Sequence, residues 1–150
     1  LLQQNFTDPI YWVTNNKIDY NVSGRDIKNL YILSNLNEEE MISYMYKAKV
    51  VLIPSSVLSF EAMALRRPIF TCYFVDNQAL IYKGLLLQKL ATGIGFLKDE
   101  SDVAATMPYF FNFYSDDKLH TKQTKRQKEA LNGKSGERIK DILLIDTIVK

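Results

Sequence analysis

The sequence predicts a three-layer α/β domain, with a mostly parallel sheet of about five strands and helices on both faces. Three observations carry this expectation. Short β-branched or aromatic runs alternate with longer stretches of helical spacing, the pattern of strands joined by crossover helices. Two of the short runs, VVLI at 50–53 and IFTCYFV at 69–75, are almost wholly apolar, as suits strands buried on both faces of a parallel sheet. The 150 residues are 47% hydrophobic and 24% charged, with 6 Gly and 4 Pro, which suits one globular core and excludes a disordered or collagen-like chain.

Each element follows from its own residues. The run IYWVT at 10–14 reads as a strand closed by the turn chemistry of Asn15, Asn16 and Lys17, and a loop through Gly24 leads to a second strand at 30–33. Asn37 is placed to cap a helix with three acidic residues in its first turn, along which Met41, Ile42, Met45 and Ala48 recur at helical spacing. The strand at 50–53 ends at Pro54-Ser55-Ser56. Leu58, Ala62 and Leu65 then mark a helix lying on a sheet, and Pro68 stops it. After the strand at 69–75, Asp76-Asn77-Gln78 reads as a polar loop before a helix from Ala79 onward, and 92–97 as a turn and a short strand. Ser101 or Asp102 is expected to cap a further helix, which Pro108 would break or kink. The polar stretch 115–138 reads either as a solvated helix face or as a mobile linker, and 139–150 as a terminal amphipathic helix packing back on the sheet.

Nineteen basic residues against seventeen acidic ones leave a net charge of +2, too balanced for whole-molecule attraction to nucleic acid or anionic lipid. No nucleic-acid partner is expected, and any basic preference must be local. The single cysteine, Cys72, lies in an apolar run and reads as a small buried hydrophobe in a reducing compartment. No apolar run approaches a membrane span and no signal peptide is legible at the start, so a cytoplasmic location is expected. The chain opens at Leu1 on what reads as the tail of a helix, which suggests part of a longer protein.

Chemistry concentrates between residues 50 and 78. Two buried strands each end there in a polar segment, and in open parallel sheets ligands bind at the carboxyl edge. Pro54-Ser55-Ser56 runs directly into a helix, so free amides, the positive helix end and two hydroxyls suit a phosphate. Glu61, one turn into that helix, is placed to accept two hydrogen bonds from a vicinal diol such as a ribose. Asn77 and Gln78, after the neighbouring strand, offer amides to phosphate or sugar. Spacing alone equally fits plain helix caps at Ser55 or Ser56 and at Asp76 or Asn77, with Glu61 solvated. His120 stands alone in the polar tail and reads as an exposed histidine rather than a base or ligand. No Cys/His spacing calls for a metal, no Ser/His/Asp set calls for nucleophilic catalysis, and no cofactor is implied. Gly133-Lys134-Ser135 lacks the upstream glycine and strand of a phosphate-binding loop and reads as a turn.

The segment from Ile53 through Pro54-Ser55-Ser56, Glu61 and Arg66-Arg67-Pro68, followed by Tyr73 to Gln78, resembles the carboxyl-terminal domain of two-domain nucleotide-sugar enzymes of glycosyltransferase-B type. It is most similar to the UDP-sugar hydrolase of pseudaminic acid biosynthesis and to spore-coat polysaccharide relatives. The resemblance spans about 30–97. It implies a Rossmann-like domain in which Ser56 and the amides after it hold the diphosphate of a UDP-sugar, Glu61 the ribose, and Asn77 and Gln78 the phosphate or sugar. It also implies that the catalytic base belongs to a missing amino-terminal domain, so that this chain alone is inactive. Pro54 and Val57 depart from the family pattern, which more often has glycine before the hydroxyl residues and Ser or Thr four positions before the Glu. The departure leaves open a non-catalytic interaction domain that keeps the fold without the nucleotide.

Overall fold

A computed structural model describes residues 6–14, 29–137 and 139–141. The chain divides into two compact units, Leu1–Lys47 and Ala48–Lys150. In the first, β1 (Ile10–Val13) pairs in parallel with β2 (Leu30–Leu33), Tyr11 opposite Tyr31, and their rings stack with centroids 5.3 Å apart. Tyr44 of α1 (Glu38–Lys47) packs against Tyr11 at 5.1 Å, seating the helix on this pair. Asn37 caps α1 as expected: its Oδ1 accepts from the Glu40 N–H at 2.9 Å, and Glu40 Oε2 accepts from the Asn37 N–H at 2.9 Å. Both ends of α1 complement its dipole, with Glu38, Glu39 and Glu40 in the first turn and Lys47 in the last.

The second unit carries β3 (Val51–Pro54), α2 (Val57–Ala64), β4 (Ile69–Tyr73), α3 (Asp76–Leu87), β5 (Thr92–Phe96), α4 (Glu100–Tyr114) and α5 (Asp117–Ala130). Its sheet is parallel, in the order β3-β4-β5. The five expected strands are thus all present, but hydrogen-bonded as a pair and a triplet rather than as one sheet of five. Three layers are visible around β4. Phe70 packs on Phe110 and Phe113 of α4, whereas Tyr73, three residues on and so on the opposite face, packs on Tyr82 of α3. Phe70, Ile69 and Thr71 are fully buried, so β4 is the central strand its composition predicts. β3 lies at the margin of this sheet, where Leu52 is exposed although Val51 and Ile53 are buried.

At β5 the chain meets α3 closely. A Cβ on Gly93 would stand 2.5 Å from the Tyr82 ring, and Gly95, at φ +92, donates its N–H to the Tyr82 hydroxyl at 2.8 Å. Glycine at 93 is demanded by space and at 95 by backbone conformation.

Three expectations are corrected, and of the two outcomes expected at Pro108 the break is excluded. Asp76-Asn77-Gln78 is not a loop: it is the first turn of α3, with Val75 at the N-cap, so β4 stops at Tyr73. Asp99, rather than Ser101 or Asp102, caps α4, its Oδ1 accepting from the Ser101 and Asp102 N–H groups at 2.9 and 3.3 Å. Those hydrogen bonds, the Ser101 hydroxyl first among them, hold its carboxyl below the usual range. Pro108 sits inside α4 without ending it, where burial of Phe110 and Phe113 beyond it offsets a lost helix hydrogen bond. Residues 117–130 form α5, neither a mobile linker nor a wholly solvated face, because His120, Gln123 and Gln127 recur at helical spacing and are buried. Of the expected terminal helix, 139–141 is helical and 142–150 lies outside the described residues.

These buried polar residues close the amino-terminal edge of the three-stranded sheet. Gln123 Oε1 accepts from the Ile69 N–H at 2.6 Å and its Nε2 donates to Ile69 O at 3.4 Å, so the side-chain amide pairs with the first residue of β4 as a neighbouring strand would. Gln127 Nε2 donates to Arg67 O at 3.0 Å and to Leu90 O at 2.9 Å. Arg66, left-handed at φ 56 just beyond α2, donates to Met63 O at 2.7 Å, Gln127 O at 3.3 Å and Leu131 O at 2.8 Å, capping the ends of α2 and α5 together. Replacing Gln123 by Leu keeps the volume and strands the buried Ile69 N–H. Urea unfolding of Gln123→Leu is expected to show a loss of about 1–3 kcal/mol, the cost of an unsatisfied buried donor; an unchanged midpoint would remove α5 from the sheet's support.

Candidate functional site

The carboxyl edge of the same sheet is built differently. β3 and β4 run parallel in register, Ile53 opposite Thr71 and Pro54 opposite Cys72, and the ladder extends one residue further through Ser55 N–H to Cys72 O at 2.8 Å. Each strand then turns into a helix, β3 into α2 and β4 into α3, so two helix amino ends follow adjacent strands at one edge. Their unpaired amides and positive dipole ends favour an anion there.

The expected site residues divide into those that face this edge and those that hold it. Ser55 is wholly buried. Its hydroxyl pairs with that of Thr71 at 2.8 Å, and Thr71 Oγ1 donates to Ile53 O at 2.9 Å. Ser55 therefore spends its hydroxyl on the core, tying the end of β3 to β4. Ser56 is half-buried at the N-cap of α2, with extended backbone, and its N–H donates to Ser59 Oγ at 3.3 Å. The Ser59 hydroxyl in turn donates to Pro54 O at 3.4 Å, which closes the turn on itself. Glu61 is exposed, and its carboxylate takes no hydrogen bond or ion pair among the described residues. Its charge is thus left without a partner one turn into α2.

Across on β4, Asp76 and Asn77 are exposed on the first turn of α3. The Val75 cap gives α3 no side-chain hydrogen bond, so neither Asp76 nor Asn77 serves as its cap. Gln78 is half-buried, with Oε1 accepting from the Phe74 N–H at 2.9 Å, which shapes the strand-to-helix turn. The edge is rimmed by exposed apolar side chains, Val57 at 69%, Phe74 at 48% and Val75 at 51%.

His120 is not the exposed histidine its surroundings in the sequence suggest. It is buried on α5, edge-on to the Phe113 ring at 4.8 Å, with Nε2 2.8 Å from Phe113 O and Nδ1 3.7 Å from Asp117. It belongs to the helix that closes the amino edge. Cys72, buried beneath the edge, is kept as a thiol: burial pushes it from the ordinary value near 9.0 up to about 11. Among the described residues no group of His, Cys, Asp and Glu is arranged to hold a metal ion, and no helix is long and apolar enough to cross a membrane. Comparison with protein-family models and with curated proteins finds no match to the chain, so the meaning of this edge rests on its geometry.

Two residues that matter here were not singled out in the sequence. Ser59 was legible, since a hydroxyl three residues after a Ser cap is a capping signature. Thr71 was not: inside an apolar strand it reads as one more β-branched residue, and only the register brings it to Ser55. Thr71→Val should cost about 1–3 kcal/mol in urea unfolding, because the Ser55 hydroxyl is then buried without a partner, and the double change Ser55→Ala/Thr71→Val should cost less than the sum of the two singles. Additive costs would show that the two hydroxyls are not coupled.

Proposed function

We propose that this chain grips the nucleotide diphosphate of a UDP-sugar, as one half of a nucleotide-sugar hydrolase or glycosyltransferase in surface polysaccharide or nonulosonic acid biosynthesis. The observation that carries the reading is the pair of helix amino ends following adjacent parallel strands, with the unpaired Glu61 one turn along the first. In this reading the diphosphate lies against the amides at the start of α2 and the Ser56 hydroxyl. Glu61 accepts from the ribose hydroxyls, and Asn77 with the first amides of α3 meets the distal phosphate or the sugar. Ser55 and Gln78 act as positioning residues, since their polar atoms are already engaged with Thr71 and Phe74.

Fixed amides aimed at a diphosphate stabilise it as a leaving group, because the charge that grows on it meets dipoles already in place. Attack at the anomeric carbon also needs a group to activate water or an acceptor. That group is assigned to a facing amino-terminal domain, whose contact across a cleft would cover Val57, Phe74 and Val75. The same exposed apolar rim favours the alternative reading, a non-catalytic interaction domain that keeps the fold without the ligand.

Titration calorimetry with UDP separates the two readings. The nucleotide reading expects binding, weakened about 10- to 150-fold by Glu61→Ala, which corresponds to roughly 1.5–3 kcal/mol for hydrogen bonds to a charged group. No heat of binding favours the interaction domain, and binding with an affinity indifferent to Glu61 removes the ribose role from that carboxylate.

A further inference from the structure

The solvent side of α5 and the end of α3 hold a second feature, at the edge of the sheet away from the proposed nucleotide site. Lys118, Lys122, Lys125, Arg126 and Glu129 recur at three- and four-residue spacing on the exposed side of α5, Lys118, Lys125 and Glu129 opposite Gln123 and Gln127 and Lys122 and Arg126 flanking them. Lys122, Lys125 and Arg126 line a groove of about 650 Å³ together with Glu129 and Ala130, and its other wall is Gln88 and Leu90, where α3 turns into β5, so three cations there face one carboxylate. All three cations are exposed, and none has an ion-pair or hydrogen-bonded partner among the described residues. Exposed Lys89 adds a further positive charge next to Gln88.

Beside this cationic groove the chain exposes aliphatic side chains that a fold would ordinarily cover. Leu87, immediately before Gln88, is 84% exposed, and Leu80, two turns earlier along α3, is 80% exposed. Lys83, also exposed, lies between them on the same helix. Leucines seven apart share one helix face, so α3 presents a short aliphatic ridge interrupted by a cation. Unpaired cations next to protruding aliphatic side chains suit a surface that is negatively charged outside and apolar a few ångströms in. Nucleic acid is the poorer fit, because single strands are gripped by stacking on aromatic rings and this groove has none among its lining residues.

We propose that this face docks on the surface of an anionic lipid bilayer, with Lys122, Lys125 and Arg126 against the phosphate headgroups and Leu87 inserted among the first acyl carbons. The inference is independent of the nucleotide reading: it uses no residue of the carboxyl edge and puts the membrane contact at the sheet's opposite end. The modest net charge of +2 means that attachment is local and oriented.

Co-sedimentation of the full chain with vesicles of phosphatidylcholine alone, and with 30% phosphatidylserine added, tests it. Binding is expected only to the anionic vesicles and is expected to fall away at high salt. Reversing three charges in Lys122→Glu/Lys125→Glu/Arg126→Glu should weaken partition at least a hundredfold, following the usual contribution of a basic residue near such a surface. The Lys122→Arg/Lys125→Arg variant should retain binding, and Leu87→Ser should weaken it while leaving the salt dependence in place. A urea midpoint unchanged in the triple variant separates lost docking from lost folding. Equal binding to neutral vesicles, triple-variant binding equal to the parent, or tighter binding to a single-stranded oligonucleotide than to anionic vesicles would overturn the proposal.

Discussion

A single buried pair of hydroxyls sets the geometry of the carboxyl edge. Ser55 and Thr71, both fully buried, meet at 2.8 Å and bind the last residue of the β3 ladder to the middle of β4. A hydroxyl in a core is tolerated only when partnered, and here each supplies the other's partner while Thr71 also reaches Ile53 O. The consequence is positional. The chain leaves β3 at one fixed place, Ser56 falls at the N-cap of α2, and Ser59 closes the turn by linking the Ser56 N–H to Pro54 O. Glu61 then projects from the first turns of a helix whose start cannot slide along the strand.

The two edges of the three-stranded sheet have opposite characters, and the contrast gives the unit its direction. At the amino edge most polar groups are consumed: Gln123 pairs with Ile69, the Gln127 Nε2 with Arg67 and Leu90, and the Arg66 guanidinium with the carbonyl ends of two helices, while Gln127 Oε1 stays buried with no partner among the described residues. At the carboxyl edge Ser55, Ser59 and Gln78 are engaged, but other polar groups are left over. α3 begins at a valine with no side-chain cap, and Glu61, Asp76 and Asn77 are exposed. A sheet whose amino end is sealed by side-chain amides and whose carboxyl end presents two helix starts is disposed to hold an anion at the latter.

Much of this was legible in the residues, and the limits have physical causes. Four strands were placed by apolar or β-branched runs and the fifth as a turn and a short strand around its two glycines, and Asn37 was identified as a cap by the acidic turn after it. Their grouping was not, because the pairing of strands is decided by long-range packing that no local run encodes. Asp76, Asn77 and Gln78 were read as a loop because three polar residues after a strand carry turn chemistry, yet Gln78 folds back on the Phe74 N–H and starts the helix at once. At α5 a helix was one of the two readings, but its burial was missed. Its composition is dominated by lysine and glutamine, so the buried row of His120, Gln123 and Gln127 has no apolar signature, although its spacing is helical. Buried amides that replace a strand's missing neighbours look, in sequence, like solvent-facing residues. At the candidate site, Ser56, Glu61 and Asn77 were placed at the edge by strand order alone, while the inward turn of Ser55 depended on a partner sixteen residues away.

The most direct test is a titration of the isotope-labelled chain with UDP, followed by amide chemical shifts. Binding at the carboxyl edge predicts saturable shifts confined to the amides of residues 56–59 and 76–78 and to Glu61, with those of Gln123 and Gln127 unmoved. Shifts centred on α5, or none at millimolar UDP, would contradict a nucleotide grip at this edge.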